Sequence, residues 1–461
     1  MEYFIDKALD KSAVNGLFKT MRTKYSDYEI HTLQLYKGEK LLARIAQTPY
    51  SCTDAREIYS LSKTFTSTVV GIASDMGLLS DEDRVIDYFP EINTSGFEKL
   101  KIKHLLSMNT GHSACVMKKM KSAESSAKAF FSVPLEYEPG THFAYNTGAT
   151  CLLSTIVERA SGEKFFDFAC EKLFFPLGIT NVYWSRCDDG ACQAGTGLHI
   201  SSDDIVKLGL LYYNKGIYKG KRIISEEWIK KAASPISDNS SNGTADWTSG
   251  YGYQIWINSR DGFRGDGAFG QLCLVMPKYD GICVVQGFFK GDMQNEMDEL
   301  FRLFDGCSEK EEAEDYIGYA PARAAEHKSF DGIYKLADNA FGFKKLKISL
   351  SENLLELSFT NGCKVNTLSA GSGEWKKSCL YTRGMTPKLD IMNELTESVK
   401  TAASFEIADN EIKLHIRYLT NPHSEILHIK YDNKTAELFF ENTLPDLREE
   451  GLLTLSGVYV N

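Results

Sequence analysis

Ser60 and Lys63 stand three residues apart in Tyr59-Ser60-Leu61-Ser62-Lys63-Thr64-Phe65-Thr66, at the head of a helical pattern. Residues three apart share a helix face, so this spacing sets a hydroxyl beside an amine. An amine kept neutral by burial can take the hydroxyl's proton, and the partial positive charge at a helix start favours the negative charge that then develops. The chemistry on offer is nucleophilic attack on a carbonyl. A serine and a lysine at this spacing also arise by chance, so the pattern needs partners before it means a site. The helix that must position the pair is written in Val69, Val70, Ile72, Ala73 and Met76, which recur at helical spacing up to a stop at Gly77.

The chain has 461 residues, 43% apolar and 25% charged, which suits a globular protein of two or three domains with a large core. No apolar run approaches the roughly 18 residues that a membrane helix needs. The start, Met1-Glu2-Tyr3-Phe4-Ile5-Asp6, lacks the apolar stretch of a secretory signal, so a cytoplasmic protein with no membrane association is expected. Eleven cysteines without a repeated spacing fit reduced thiols in that compartment. Cys187 and Cys192 flank a turn-like Asp188-Asp189-Gly190 but have no nearby histidine or second cysteine pair to complete a metal site, and no metal or organic cofactor is expected. A net charge of -10 without a basic cluster argues against nucleic acid as a partner.

Alternation predicts strands over Ile30–Tyr36 and Lys40–Ile45, joined by a turn at Lys37-Gly38-Glu39 into a hairpin. From Ser60 to about residue 235 the pattern is mostly helical, with clear helices over Cys151–Glu158 and Asp203–Tyr212, the latter capped by Ser201 and Ser202. Strands return over Gly252–Ile257, Leu272–Met276 and Ile282–Val285, then a helical stretch over Met297–Leu303. Strands, helices and strands in that order predict an α+β fold, an antiparallel sheet flanked by helices and completed from both ends around an inserted helical region. The charged run Glu309–Asp315 reads as a linker. Beyond it, short alternating strands such as Lys345–Leu350, Leu354–Phe359 and Glu411–Ile416 predict a C-terminal all-β domain, barrel or sandwich. The expected organisation is a domain over 1–308, a linker over 309–319 and a β-rich domain over 320–461.

Further stretches accompany Ser60 and Lys63: Lys103-His104-Leu105-Leu106-Ser107-Met108-Asn109-Thr110-Gly111, Pro139-Gly140-Thr141-His142-Phe143-Ala144-Tyr145, Phe175-Pro176-Leu177-Gly178-Ile179, Gly250-Tyr251-Gly252-Tyr253 with Trp256, and Gly267-Ala268-Phe269-Gly270-Gln271. In this order, over about residues 30 to 290, the chain resembles the serine β-lactamase and penicillin-binding-protein superfamily, in its class C-like branch of esterases and amide hydrolases. The resemblance implies that Tyr145 faces the nucleophile as base and later as proton donor, and a phenol with an ordinary pKa near 10 would need a cation such as Lys63 to lower it. The family's Tyr-x-Asn departs here, with Thr147 in the third place and Asn146 one step earlier; both are candidates to contact substrate. The usual Lys-Thr-Gly or His-x-Gly is absent. The stretch from Gly267 to Gln271 is similar to the Gly-x-x-Gly-Gln of related amide hydrolases and esterases, which implies an oxyanion hole made by the N–H groups of Ser60 and Ala268. Gly267 and Gln271 are then expected to border the substrate, and Arg264 either stands in for the missing cation as an anchor for a substrate carboxylate or is a surface arginine in a turn. His112 either lines the pocket or is a hydrogen-bonded structural histidine.

These residues imply a serine hydrolase acting on a small ester or amide through a Ser60 acyl-enzyme. A β-lactamase or D-amino-acid peptidase is the alternative within that chemistry. A binding protein on a catalytically decayed fold is the alternative outside it.

Overall fold

In a computed structural model of the chain, the described residues are 3–25, 28–312, 318–325, 329–339, 342–362, 364–380, 399–408, 411–432, 434–442 and 454–460. They form two compact units, one of Met1–Ala46 with Ser51–Ile317 and one of Gln47–Tyr50 with Gly318–Asn461.

The first unit is built on a seven-stranded antiparallel sheet. Its strands are β1 (Tyr3–Ile5), β2 (Tyr28–Lys37), β3 (Lys40–Ala46), β4 (Trp256–Ile257), β5 (Phe263–Gly267), β6 (Gln271–Met276) and β7 (Gly281–Phe289), in the order β1-β3-β2-β7-β6-β5-β4. The hairpin read from the sequence closes with Lys37 opposite Lys40. Pairing of β2 with β7, Leu35 opposite Cys283 and Leu33 opposite Val285, joins the two ends of the unit as the strand–helix–strand order predicted. Every residue of β7 is buried because both sheet faces are covered. On one face Cys273, Val275 and Val284 pack with Ile205, Val206 and Leu208 of helix Ser202–Tyr213, whose cap is the Ser201 hydroxyl accepting from the Asp204 N–H. On the other, Leu272, Leu274, Cys283 and Val285 pack with Val14, Leu17 and Phe18 of α1 (Lys11–Thr23) and with Met297, Leu300 and Phe301 of helix Gln294–Phe304. Alternate residues of one strand thus enter two different cores.

The strand expected over Gly252–Ile257 is reduced to β4. Gln254 takes a positive φ of 62°, and its side chain is spent on Thr150 Oγ1 and the carbonyls of Leu105 and Leu106, so this stretch is a buried turn. Residues 309–312, at the start of the charged run, lie along α1, with the Glu311 N–H donating to the Ser12 carbonyl. Among the described residues, no helix is long and apolar enough to cross a membrane.

The second unit is all β. Among the described residues nine strands close a ring: β8 (Phe330–Leu336), β9 (Lys345–Leu350), β10 (Leu354–Asn361), β11 (Lys364–Gly371), β13 (Val399–Ala408), β14 (Glu411–Tyr418), β15 (Ser424–Tyr431), β16 (Thr435–Asn442) and β17 (Thr454–Tyr459). Gly371 opposite Ser404 closes it between β11 and β13, and β12 (Lys376–Leu380) pairs with β13 from outside the ring. Of the two architectures expected, the barrel is the one formed. Period-two burial fills its interior with Leu346, Ile348, Leu355, Leu357, Ile412 and Leu414.

Candidate active site

Ser60 lies in a single 3₁₀ turn, Tyr59–Leu61, that runs into α2 (Ser62–Asp75), with Gly77 at φ 72° just past its end. Tyr59, the residue before Ser60, has φ 48°, a left-handed value that costs a side-chain-bearing residue free energy and that the surrounding packing must enforce. Its ring is buried and meets Phe269 edge-on at 5.3 Å. No sequence signal marked this strain, since tyrosine has no special tolerance for it.

The junction of turn and helix keeps the three-residue relation, and Lys63 Nζ lies 2.9 Å from Ser60 Oγ. Nζ also lies 3.1 Å from Thr147 Oγ1 and 2.6 Å from the Gly195 carbonyl. Lys63 is 1% exposed, and burial lowers its pKa from 10.5 to about 7, against a small opposing pull from Cys115 and Asp266. Three oxygens suit both forms of the amine. Charged, it donates to all three; neutral, it donates to Thr147 and Gly195 and turns its lone pair to the Ser60 hydroxyl. A proton can therefore come and go without rearranging the site. Gly195 was not anticipated as a partner, although its glycine character is required: a Cβ there would sit 2.8 Å from Thr147 Cγ2.

Tyr145 precedes α3 (Thr147–Ser161) and stacks on Trp256 at 5.4 Å, with Tyr251 edge-on at 6.0 Å and Lys63 Nζ 4.8 Å from its ring centre. Its phenol is not lowered by Lys63, as the sequence reading required. Burial raises it well above 10, outweighing a hydrogen bond with Ser60 that lowers it, with Asp266 and Cys115 adding to the rise. The physical reason is burial: the desolvation that favours the neutral Lys63 amine also disfavours a phenolate beside it.

Ala268 is exposed in the turn between β5 and β6. Among the described residues, the N–H groups of Ser60 and Ala268 make no hydrogen bond. The approach of β5 to the Ser60 turn depends on glycine. A Cβ at Gly267 would lie 2.1 Å from the Ile58 carbonyl oxygen, and one at Gly265 would lie 2.2 Å from Leu61 Cδ1.

Thr147 is in the site, but as a partner of Lys63. Four other candidates lie elsewhere or are already engaged. Asn146 is buried as the cap of α3, its Oδ1 accepting from the N–H groups of Gly148 and Val116. Arg264, expected as an anchor for a substrate carboxylate, is fully buried, with Nε donating to Asp266 Oδ2 at 3.0 Å and Nη1 to Asn258 Oδ1 and the Asp246 carbonyl, both at 2.9 Å; among the described residues its Nη2 has no partner, and Trp247 lies under its plane at 4.3 Å. Gln271 braces the turn that carries Ala268, its Nε2 donating to the carbonyls of Phe269 and Gly287 at 2.9 and 2.8 Å. His112 is the structural histidine of the two possibilities, bonded to Thr110 Oγ1 and the Val133 carbonyl and packed against Phe130. Short-range motif matching placed all four near the site, and none carried a signal of how deeply tertiary contacts would engage it. Asp266, not singled out from the sequence, is the carboxylate that accepts from Arg264 Nε.

The Beta-lactamase family profile matches residues 34–287. The 6-aminohexanoate-dimer hydrolase of Paenarthrobacter ureafaciens is 23% identical over 273 residues, covering 54% of this chain and 70% of that protein. Among solved structures, the octameric penicillin-binding protein homologue from Pyrococcus abyssi is similar with a TM-score of 0.53 at 17% identity, over 96% of this chain and 99% of that one. A family VIII carboxylesterase is similar with a TM-score of 0.51 at 18% identity, over 65% of this chain and 98% of that one. At such identities the structural likenesses establish the fold alone, whereas the profile spans more than half of the sequence, and the chain belongs to the Beta-lactamase family of serine hydrolases.

Proposed function

We propose that the protein hydrolyses a small ester or amide through an acyl-enzyme on Ser60. The observation that carries this reading is the Ser60 hydroxyl 2.9 Å from a buried lysine whose pKa lies at about 7. In the first half-reaction Ser60 Oγ bonds to the carbonyl carbon, its proton passes to Lys63, and the N–H groups of Ser60 and Ala268 hold the oxyanion. As the carbon–heteroatom bond breaks, the proton returns through the neutral phenol of Tyr145 to the leaving group. Water then repeats the sequence, leaving the free acid and the restored hydroxyl. The small substrate is supported by the amide-hydrolase relative. A cytosolic place of work is supported by Cys151 and Cys187, whose sulfurs lie 3.7 Å apart as thiols rather than as a disulfide.

The test is labelling by a fluorophosphonate probe and turnover of p-nitrophenyl esters, wild type beside Ser60→Ala. Labelling and turnover confined to the wild type are expected. An unlabelled wild type, or equal turnover by both, would overturn the enzyme reading in favour of a binding protein on this fold. Nitrocefin and D-alanine amide added to the panel separate a β-lactamase or a D-amino-acid peptidase from a general esterase.

A further inference from the structure

Two thiols stand on the two elements that carry the partners of Lys63 other than Ser60. Cys151 lies four residues after Thr147 on α3, one turn along the same face, and Cys187 opens the hairpin that leads through Cys192 to Gly195. Their sulfurs are 3.7 Å apart. Both are held there: Cys151 Sγ donates to the Cys192 carbonyl at 3.3 Å, and the Cys187 N–H donates to the Ala191 carbonyl at 2.8 Å. The segment then runs to the reacting groups under constraint. The Gln193 N–H donates to the Ser185 carbonyl at 3.0 Å and Thr66 Oγ1 to the Ala194 carbonyl at 2.8 Å, before Gly195 offers its carbonyl to Lys63 Nζ. A disulfide needs its sulfurs about 2.05 Å apart, so a closure of roughly 1.6 Å would join the pair, within the reach of side-chain rotation and a small shift of the hairpin. Cys151 is fully buried, and its hydrogen bond with Cys187 followed by burial raises its pKa, so it keeps its proton. Cys187 is 4% exposed under a hairpin whose Arg186, Asp188 and Asp189 are at the surface, so it is the thiol that an oxidant meets first. The narrow access and the two aspartates favour a small neutral oxidant over an anionic disulfide such as oxidised glutathione.

We propose that Cys151 and Cys187 are an oxidative modification site, closed to a disulfide by hydrogen peroxide, and that the closed form switches the Ser60 site off by drawing the Gly195 carbonyl away from Lys63. The Cys187 sulfur, its proton given up, bonds to one peroxide oxygen as the O–O bond breaks; the other oxygen leaves as water, and Cys187 becomes a sulfenic acid. The Cys151 sulfur then bonds to the Cys187 sulfur, and the hydroxyl departs with the Cys151 proton as a second water. Two thiols lose two electrons in all, and the peroxide gains them. The bond ties the hairpin to α3 and removes the S–H that held the Cys192 carbonyl, three residues before Gly195. The effect on activity rests on the acyl-enzyme reading, whereas the disulfide does not.

The test uses the full chain, reduced, freed of reductant and treated with hydrogen peroxide. Cleavage before Asp188 parts Cys187 from Cys192, so tandem mass spectrometry of the unreduced digest reads the partner directly. A peptide holding Cys151 joined to one ending in Cys187 is expected, formed faster with peroxide than with oxidised glutathione. Turnover of p-nitrophenyl esters and fluorophosphonate labelling should fall in step with that link by about tenfold or more, the scale of one lost hydrogen bond to a charged group, and return with a phosphine reductant. Cys151→Ala and Cys187→Ala, each alone, should keep their starting activity and lose the response. No link between Cys151 and Cys187, a link to Cys192 in its place, or a link that leaves turnover unchanged would each overturn the proposal. So would an inactivation that persists in both alanine variants, which would mark the exposed Cys115 as the target. Should neither variant fold, the digest and the reversal by phosphine decide the matter in the wild type. Failure of the link or of its effect in an active enzyme removes this inference alone; an untreated enzyme that neither labels nor turns over removes the acyl-enzyme reading and the switch with it.

Discussion

A lysine amine buried beside a serine changes which group can act as the base. Lys63, lowered to about 7, is half neutral at physiological pH, whereas Tyr145, raised by burial, stays a phenol. The sign for activity follows directly. Below about 7 the amine is protonated and cannot accept the Ser60 proton, so kcat/KM for a neutral ester should rise with pH through a midpoint near 7 and then level off. A profile that falls across this range would contradict Lys63 as the base. Tyr145→Phe makes the complementary prediction. Loss of a proton donor to the leaving group should cost an anilide or alkyl amide about a hundredfold or more, yet spare p-nitrophenyl esters, whose leaving phenolate needs no proton. Equal losses on both would assign Tyr145 to positioning rather than proton transfer. At this scale the sequence was legible where chemistry depends on local spacing, as for Ser60 with Lys63. It was not legible for Arg264, Asn146 and Gln271, whose surroundings are decided by which groups of the folded chain take up their hydrogen bonds.

The elements that deliver the site do so by close backbone approach. The sheet reaches the Ser60 turn only because β5 lacks side chains at Gly265 and Gly267. Gly267→Ala would drive a methyl group to 2.1 Å from the Ile58 carbonyl oxygen, so strand and turn must separate. We expect a loss of about 1–3 kcal/mol in stability, as for overpacked cores, together with a fall in fluorophosphonate labelling rate of at least about tenfold. Gly96→Ala is the control. It sits at φ 91° in open space, so it carries conformational strain of about 1 kcal/mol and should leave labelling unchanged. If both variants label at the wild-type rate, close approach at Gly267 has no part in catalysis. The barrel strands were readable from periodicity because each has one face committed to a core, whereas α2, buried all round over Ser62–Ala73, was readable from the helical spacing of its apolar residues. The turn at Gly252–Gln254 was misread as strand because its apolar and aromatic residues are buried without alternating, and periodicity cannot separate such a turn from a strand.

At the scale of the whole molecule, the chain keeps two sets of apolar cores. Those on either side of the seven-stranded sheet are filled by residues of the first unit, and the barrel interior is filled by residues beyond Gly318. One exchange breaks the sequence order: Gln47–Tyr50, between β3 and the Ser60 turn, belongs to the second unit. There Thr48 pairs with Gly318, and Tyr50, 3% exposed, packs with Ala402, Leu419, Tyr319 and Trp375, its hydroxyl 3.3 Å from Arg417 Nη1. The change of texture after residue 309 was visible in the sequence, whereas this four-residue loan was not, because nothing in so short a segment reveals which core will receive it. Separate cores predict two unfolding transitions, since each unit buries enough apolar surface to unfold on its own. Tyr50→Ala, which removes a buried aromatic ring from the second unit, should lower that unit's transition by the equivalent of about 3–5 kcal/mol. Differential scanning calorimetry read beside fluorophosphonate labelling during a heating ramp checks this. The expected outcome is a shifted barrel transition with Ser60 labelling lost at the unchanged temperature of the other. A single transition, or loss of labelling that moves with Tyr50→Ala, would mean instead that the segment leading into the nucleophile transmits the barrel's unfolding to the catalytic unit.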